Sequence, residues 1–133
     1  MSEKKSNKDI KIVVVDDSSF SRTLIIKMLK EENFDIAGEA ENAKEAIKVI
    51  QDTQPHIVIT DIVMPEVSGL ELTSMINKSY SEIFVIVISS LSQEHIILDA
   101  ISAGAADFIS KPIEKSTLLN SINKIMKQMS GNL

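Results

Sequence analysis

The feature that most constrains the fold of this chain is an alternation of short β-branched runs with longer segments of helical period. Because parallel strands are joined by crossover helices, this alternation is typical of a parallel sheet covered on both faces. The predicted strands are residues 11–15, 34–38, 57–60, 83–88 and 106–109, the third and fourth being central. We therefore predict an α/β fold, a five-stranded parallel sheet with helices on both faces.

Helix boundaries are marked by apolar stripes and by capping residues. Apolar side chains recur at helical spacing at positions 43, 46, 47 and 50, and again at 118, 122, 125 and 129. Each stripe predicts a helix that faces the core. Asn42 and Ser68 each stand three positions before a glutamate and predict helix starts. We expect Ser92 to cap the fourth helix and Gly104 to end it in a left-handed conformation.

The length of 133 residues fits one domain of common size. Residues 2–9 are polar, with three lysines and no apolar side chain to anchor them. We therefore predict a flexible tail over residues 1–9 and one domain over residues 10–130. The chain ends soon after the predicted fifth helix, so we expect output through the surface of a partner.

Composition and charge disfavour several classes of function. A net charge of −5 gives a polyanionic partner no attraction, so we expect no nucleic-acid binding. The absence of cysteine removes disulfides, thiolate metal sites and cysteine nucleophiles. The longest apolar run, residues 83–88, is far shorter than the ~20 residues of a membrane span. We expect a cytoplasmic protein without membrane insertion.

Three aspartates are predicted to meet at the carboxyl edge of the sheet. Asp16 and Asp17 directly follow the first strand, and Asp61 directly follows the third. One of the adjacent pair could cap the following helix, but this explanation cannot account for both. Because three close carboxylates repel one another, a hard divalent cation would stabilise them, and Mg²⁺ is the natural candidate.

A hydroxyl and an ammonium group are predicted at the same edge. Ser89 ends the fourth strand, and Lys111 follows the fifth strand directly before a proline. Either residue alone is commonly an ordinary surface or strand-end residue. Beside Asp61, however, they offer the hydrogen bond and positive charge that a phosphoryl group needs. This combination indicates nucleophilic chemistry in which the Asp61 carboxylate forms an acyl phosphate.

These residues in this order resemble the motif set of bacterial response-regulator receiver domains. The resemblance is carried by residues 13–17, residues 61–65 with Gly69, Ser89, and the pair Lys111-Pro112, and it covers residues 10–129. Each motif is weak alone, but the set is specific because every member stands at the expected strand end. The resemblance implies the flavodoxin-like, CheY-like strand order 2-1-3-4-5.

The resemblance also implies the roles of the acidic residues. Asp16, Asp17 and Asp61 would bind Mg²⁺ together with the backbone carbonyl of Val63. Asp61 would accept the phosphoryl group from a histidine kinase. The protein would then be a phosphoacceptor that signals, and it would catalyse only its own phosphorylation and dephosphorylation.

The resemblance further implies a conformational switch. Lys111 and Ser89 would sense the phosphoryl group, and the peptide before Pro112 would be cis. Phe108 would fill the space that Ser89 vacates on phosphorylation. This movement would change the surface formed by the fourth helix, the fifth strand and the fifth helix.

Within the family, residues 34–46 and 107–109 resemble single-domain chemotaxis regulators. This resemblance implies a CheA-like histidine kinase, a downstream target such as a flagellar motor switch component, and a phosphatase as partners. Residues 89–92 and 103–112 also resemble the receiver half of chemotaxis methylesterases. An excised methylesterase receiver and a phosphorelay shuttle therefore stay open.

An aspartyl-phosphate hydrolase is an alternative from a different class. Such an enzyme also uses a carboxylate nucleophile and Mg²⁺, but it needs a second acid close after the nucleophile. Asp61 is followed by Ile62, Val63 and Met64. The sequence therefore favours a signalling domain over this enzyme.

Overall fold

A computed structural model describes residues 6–130 of the protein, in which five strands alternate with five α-helices. The strands are β1 (Lys11–Val15), β2 (Asp35–Ala40), β3 (Ile57–Asp61), β4 (Phe84–Ser89) and β5 (Asp107–Ser110). The helices are α1 (Ser19–Glu31), α2 (Ala43–Thr53), α3 (Gly69–Ser79), α4 (Glu94–Ser102) and α5 (Lys115–Met129). All strand pairs are parallel and the order is β2-β1-β3-β4-β5, which confirms the predicted fold class and topology.

The sheet separates two apolar cores. On one face, Ile12, Ile59 and Ile88 belong to a cluster completed by buried residues of α1 and α5. On the other face, Val13 and Val87 belong to a cluster completed by α2, α3 and α4. Because the central strands are covered on both faces, they are almost uniformly apolar until their carboxyl ends. Polar residues therefore gather where these strands end.

The strand boundaries agree with the predicted ones to within one residue, except at the end of β2. This strand continues to Ala40, two residues beyond the predicted end at 38. Gly38 and Glu39 are poor strand formers by composition. They are held in the sheet because Val13 pairs with Gly38 and Val14 with Glu39. Tertiary pairing thus overrides the local preference.

Three of the helix-end predictions are confirmed, and two others are wrong. Asn42 and Ser68 each accept a hydrogen bond from the backbone three residues on, and Gly104 has a positive φ of 106° after α4. Neither aspartate caps α1, because Ser18 holds that position and its side chain accepts from Ser21 N. The N-cap residue of α4 is Gln93, whose side chain makes no capping hydrogen bond, and not the predicted Ser92.

The amino-terminal prediction is only partly within the described structure. Residues 1–5 lie outside the described residues. Asn7–Asp9 form a short 3-10 turn, and the Asn7 side chain donates a 2.7 Å hydrogen bond to the Glu32 carbonyl. These residues therefore contact the domain, which differs from the expected loose tail. The boundary at residue 10 remains a prediction.

No helix within residues 6–130 is both long enough and apolar enough to cross a membrane.

Candidate functional site

Three carboxylates meet at the carboxyl edge of the sheet. Asp16 and Asp17 follow β1, and Asp61 is the last residue of β3. One ligand atom from each lies within 4.8 Å of the other two. Asp16 is fully buried and Asp61 almost so, whereas Asp17 is exposed. The cluster therefore has a buried base and one side open to solvent.

Asp16 is fixed by its backbone as well as by its side chain. Its N–H donates to the Ala40 carbonyl at the end of β2, 3.0 Å away. One carboxylate oxygen, Oδ1, accepts from Ser18 N at 2.9 Å. Its own carbonyl accepts from Arg22 Nη1 at 2.6 Å. The loop after β1 is thus tied to both β2 and α1.

The ammonium group of Lys111 is shared between two of the three acids. Lys111 Nζ lies 3.0 Å from Asp16 Oδ2 and 3.2 Å from Asp61 Oδ2. The backbone N–H of Lys111 donates to the Ser89 carbonyl at 2.9 Å, and the peptide before Pro112 is cis. The loop after β5 therefore directs one positive charge at the acidic cluster.

Burial and Lys111 act in opposite directions on the pKa of the Asp61 carboxyl group. Burial raises the pKa of Asp61, the nearby Asp16 carboxylate raises it further, and Lys111 partly opposes both. For Lys111, burial alone would lower the pKa, but hydrogen bonds and charges from Asp16 and Asp61 outweigh it and raise the pKa. The lysine is therefore a fixed cation, while ionised Asp61 is destabilised by its surroundings.

The backbone after Asp61 is held close to the first turn of α3. Ile62 N donates to Asp61 Oδ1 at 2.8 Å, and Gly69 N donates to the Ile62 carbonyl at 2.7 Å. A Cβ at position 69 would stand 1.9 Å from the Asp61 carbonyl oxygen. Only glycine therefore permits this approach. Between these points, Val63 lies in an exposed loop beside the cluster.

The two residues predicted to form the switch lie on adjacent strands. Ser89 is buried at the end of β4, and its hydroxyl accepts a 2.9 Å hydrogen bond from Leu91 N. Phe108 in β5 is paired with Val87 and packs, half-buried, against the core under α4. In this state the Ser89 hydroxyl is engaged with its own loop.

The donor atoms suit a hard divalent cation. Carboxylate oxygens, with a backbone carbonyl and water, are the ligands that Mg²⁺ prefers. The three aspartates carry more negative charge than Lys111 offsets, so a cation at this edge would relieve their repulsion. The residues present therefore fit a Mg²⁺ site formed by Asp16, Asp17 and Asp61.

Sequence reasoning did not identify Arg22, which contacts the Asp16 carbonyl. A signal was available, since Arg22 is the only arginine among the chain's 14 lysines and arginines.

Comparison with known proteins agrees with this geometry. A family described as the response regulator receiver domain matches residues 12–123. The chemotaxis protein CheY of Listeria monocytogenes is 39% identical over 118 residues, covering 89% of this chain and 99% of that one. A protein-glutamate methylesterase of Syntrophomonas wolfei is 43% identical over 105 residues, covering 77% of this chain but 30% of its own.

Among solved structures, a complex of CheX with CheY, BeF3 and magnesium from Borrelia burgdorferi has a similar chain. Its TM-score is 0.85 at 28% identity, covering 90% of this chain and 94% of that one. Fold, sequence and the acidic cluster thus agree, and the chain belongs to the family of response regulator receiver domains, among its CheY-like members.

Proposed function

We propose that the protein is a phosphorylation-activated response regulator in which Asp61 accepts a phosphoryl group from a histidine kinase. The observation that carries this proposal is the Lys111 ammonium group, 3.2 Å from the Asp61 carboxylate within a cluster of three aspartates. A carboxylate nucleophile, a fixed cation and a cation-binding cluster together supply what phosphoryl transfer requires.

The proposed reaction is a nucleophilic displacement at phosphorus. A carboxylate oxygen of Asp61 forms the new P–O bond while the P–N bond to the donor histidine breaks, and the imidazole leaves with a proton. Lys111 neutralises charge on the phosphoryl oxygens. Mg²⁺, when bound, supplies further charge neutralisation, and Asp16, Asp17, Asp61 and the Val63 carbonyl would hold it.

We propose that Ser89 and Phe108 couple this site to an output surface. After phosphorylation the Ser89 hydroxyl donates to a phosphoryl oxygen and leaves the Leu91 N–H, and Phe108 moves into the vacated space. The surface of α4, β5 and α5 changes as a result. Leu98 and Ile101 of α4 are each 56% exposed, which suits an apolar contact with a partner.

A second apolar region supports docking of the phosphodonor protein. A cavity of about 440 Å³ beside Lys111 is lined by Phe20 and Leu24 of α1 and by Pro112 and Ile113. Large exposed apolar side chains beside a reactive group favour a protein partner over a small donor. We propose a CheA-like kinase at this position, in the cytoplasm.

The relatives support a chemotaxis role for this receiver. The CheY proteins it resembles suggest a target such as a flagellar motor switch component, and the Borrelia complex suggests a CheX-like partner, which would act as the phosphatase. The 43% identity to a methylesterase receiver favours a second candidate, the regulatory domain of such an enzyme. A phosphorelay shuttle would use the same site.

Incubation with acetyl phosphate and Mg²⁺, followed by intact-protein mass measurement, tests the proposal. We expect the mass of one phosphoryl group to be added, and no turnover of a generic phosphomonoester such as p-nitrophenyl phosphate. Turnover of that ester without a stable adduct would instead indicate a hydrolase. Absence of both would contradict the proposed chemistry.

A further inference from the structure

The side chain of Arg22 connects three elements at the base of the acidic cluster. Its Nη1 donates to the Asp16 carbonyl at 2.6 Å, and its Nε lies 2.7 Å from Glu39 Oε1 on the edge strand β2. The side chain is only 15% exposed although it stands in the first turn of α1. Arg22 is therefore part of the site's support rather than a solvated surface cation.

The choice of arginine matters at this position. Arg22 is the only arginine among the 14 lysines and arginines of the chain. The planar guanidinium presents several donors in fixed directions, so Nη1 and Nε can serve two acceptors at once. A lysine ammonium on its flexible stem cannot hold both acceptors in a fixed plane. The two contacts of Arg22 thus depend on the planar guanidinium group, which lysine lacks.

The carbonyl held by Arg22 belongs to the peptide that joins Asp16 to Asp17. Because a peptide is planar, fixing that C=O also fixes the N–H of Asp17 and the direction of its Cα. Asp16 has further anchors at Ala40 and Ser18. The orientation of exposed Asp17 therefore depends strongly on this one peptide plane.

We propose that Arg22 is a positioning residue for the metal site, holding the Asp16–Asp17 peptide so that both carboxylates face the bound cation. This inference rests on the proposed Mg²⁺ site. Glu39 holds the guanidinium in place and offsets its charge. Outer residues that orient metal ligands typically contribute 10–100-fold to affinity. We accordingly expect Arg22 to strengthen Mg²⁺ binding although it is itself a cation.

The direction in which Mg²⁺ affinity changes when Arg22 is removed distinguishes a positioning role from a simple electrostatic effect. Removing a positive charge near a cation site should tighten cation binding if only Coulomb forces mattered. Loss of a fixed ligand geometry should weaken it. A control that removes a cation from an exposed position of the same helix, Lys27→Ala, shows how the loss of one positive charge from α1 affects Mg²⁺ binding when no contact to the Asp16 carbonyl is lost.

The test is Mg²⁺ titration of the full chain by isothermal calorimetry at 25 °C, with circular dichroism confirming the fold of each variant. We expect Arg22→Ala to weaken Mg²⁺ binding by about tenfold, within the usual range for residues that orient ligands. Arg22→Lys should recover only part of the affinity, and Lys27→Ala should bind as the wild type or slightly tighter.

A purely structural role would give a different pattern. Arg22→Ala would then melt earlier in EDTA but, while folded, bind Mg²⁺ as tightly as the wild type, and the proposal would be overturned. Wild-type affinity in Arg22→Lys would overturn it equally, and this variant decides the question if Arg22→Ala does not fold. If the wild type itself binds no Mg²⁺, the proposed metal site fails and this inference with it.

Discussion

Lys111 Nζ lies 3.2 Å from Asp61 Oδ2, which joins the carboxyl ends of β5 and β3 across the intervening strand β4. The same ammonium contacts buried Asp16, so the inner side of the cluster is already charge-paired. The uncompensated charge lies toward exposed Asp17. The Asp61 carboxylate is therefore held in place by Lys111, and the outer side of the cluster is left for a cation.

We expect Asp61→Asn to abolish covalent labelling by acetyl phosphate in the presence of Mg²⁺, because the amide lacks the nucleophilic carboxylate oxygen. Mass measurement or a radiolabel should be used, since the chain has no tryptophan to report binding. The matched control is Asp35→Asn, which changes an exposed aspartate at the opposite edge of the sheet. Labelling of Asp61→Asn at the wild-type level would refute the assignment.

We expect Asp17→Asn to raise the melting temperature in EDTA and to weaken Mg²⁺ binding. Without metal, three carboxylates within 4.8 Å face one lysine, so removing one charge relieves repulsion. The same change removes a cation ligand, which is a trade of function for stability. Thermal melts with and without Mg²⁺ measure both effects. An earlier melt of Asp17→Asn in EDTA would show that repulsion does not strain the site.

The raised pKa of Asp61 makes stability depend on pH in a defined direction. At pH values just above the ordinary aspartate pKa of 3.8, the folded protein still holds this proton, whereas the unfolded chain has released it. The contribution of Asp61 to the free energy of unfolding therefore falls as pH rises through that window. In EDTA, Asp61→Asn should stabilise the protein at pH 7, and the gain should shrink toward pH 4. A gain that grows toward pH 4 would contradict the burial argument.

Sequence patterns were sufficient to predict the strands and helices and to bring three aspartates and Lys111 to one edge of the sheet. Asp16, Asp17 and Asp61 were placed together because parallel strands present their carboxyl ends at one edge, and β-branched runs located those ends well. The same reasoning predicted Lys111, whose ammonium group contacts Asp16 and Asp61, and it put Ser89 at the same edge, where β4 ends. A residue's position directly after a predicted strand thus indicates that it lies at the carboxyl edge of the sheet.

The contacts that fix the site were not predictable in the same way. The capping of α1 by Ser18 rather than by an aspartate depends on Asp16 being buried and turned toward Ser18 N and Lys111. The role of Arg22 depends on Glu39, which is 17 residues away and brought close by β2. Which of several polar residues caps a helix or pairs with an arginine therefore depends on tertiary packing, which the local sequence does not show.

We expect Gly69→Ala to destabilise the protein by about 3 kcal/mol, the upper range for overpacking, because the new Cβ would overlap the Asp61 carbonyl oxygen. Relief requires the loop after β3 to move, so phosphorylation should slow as well. Denaturant melts and labelling rates measure the two effects. Ser74→Ala in the same helix adds no atom near Asp61 and serves as the control. Wild-type stability and labelling in Gly69→Ala would show that the loop tolerates the displacement.

The lifetime of the phosphorylated form should depend on Val63 and Leu91. Val63 follows Asp61 by two residues and is 56% exposed, and Leu91 follows Ser89 by two and is 38% exposed. Neither side chain can orient a water molecule by a hydrogen bond. We therefore expect slow self-dephosphorylation. Val63→Asn with Leu91→Glu should lower the barrier to hydrolysis by ~1 to 2 kcal/mol, roughly tenfold in rate, because orienting the attacking water promotes phosphoryl transfer.

Decay of the phosphorylated protein, followed after removal of acetyl phosphate at saturating Mg²⁺, measures this rate. The matched control is Val63→Ala with Leu91→Ala, which opens the same approach to water without adding a hydrogen-bonding group. If orientation of water limits hydrolysis, the polar variant decays faster than both the wild type and the alanine variant. Equal acceleration in the two variants would assign the effect to access alone. Unchanged or slower decay in the polar variant would show that these side chains do not control the lifetime.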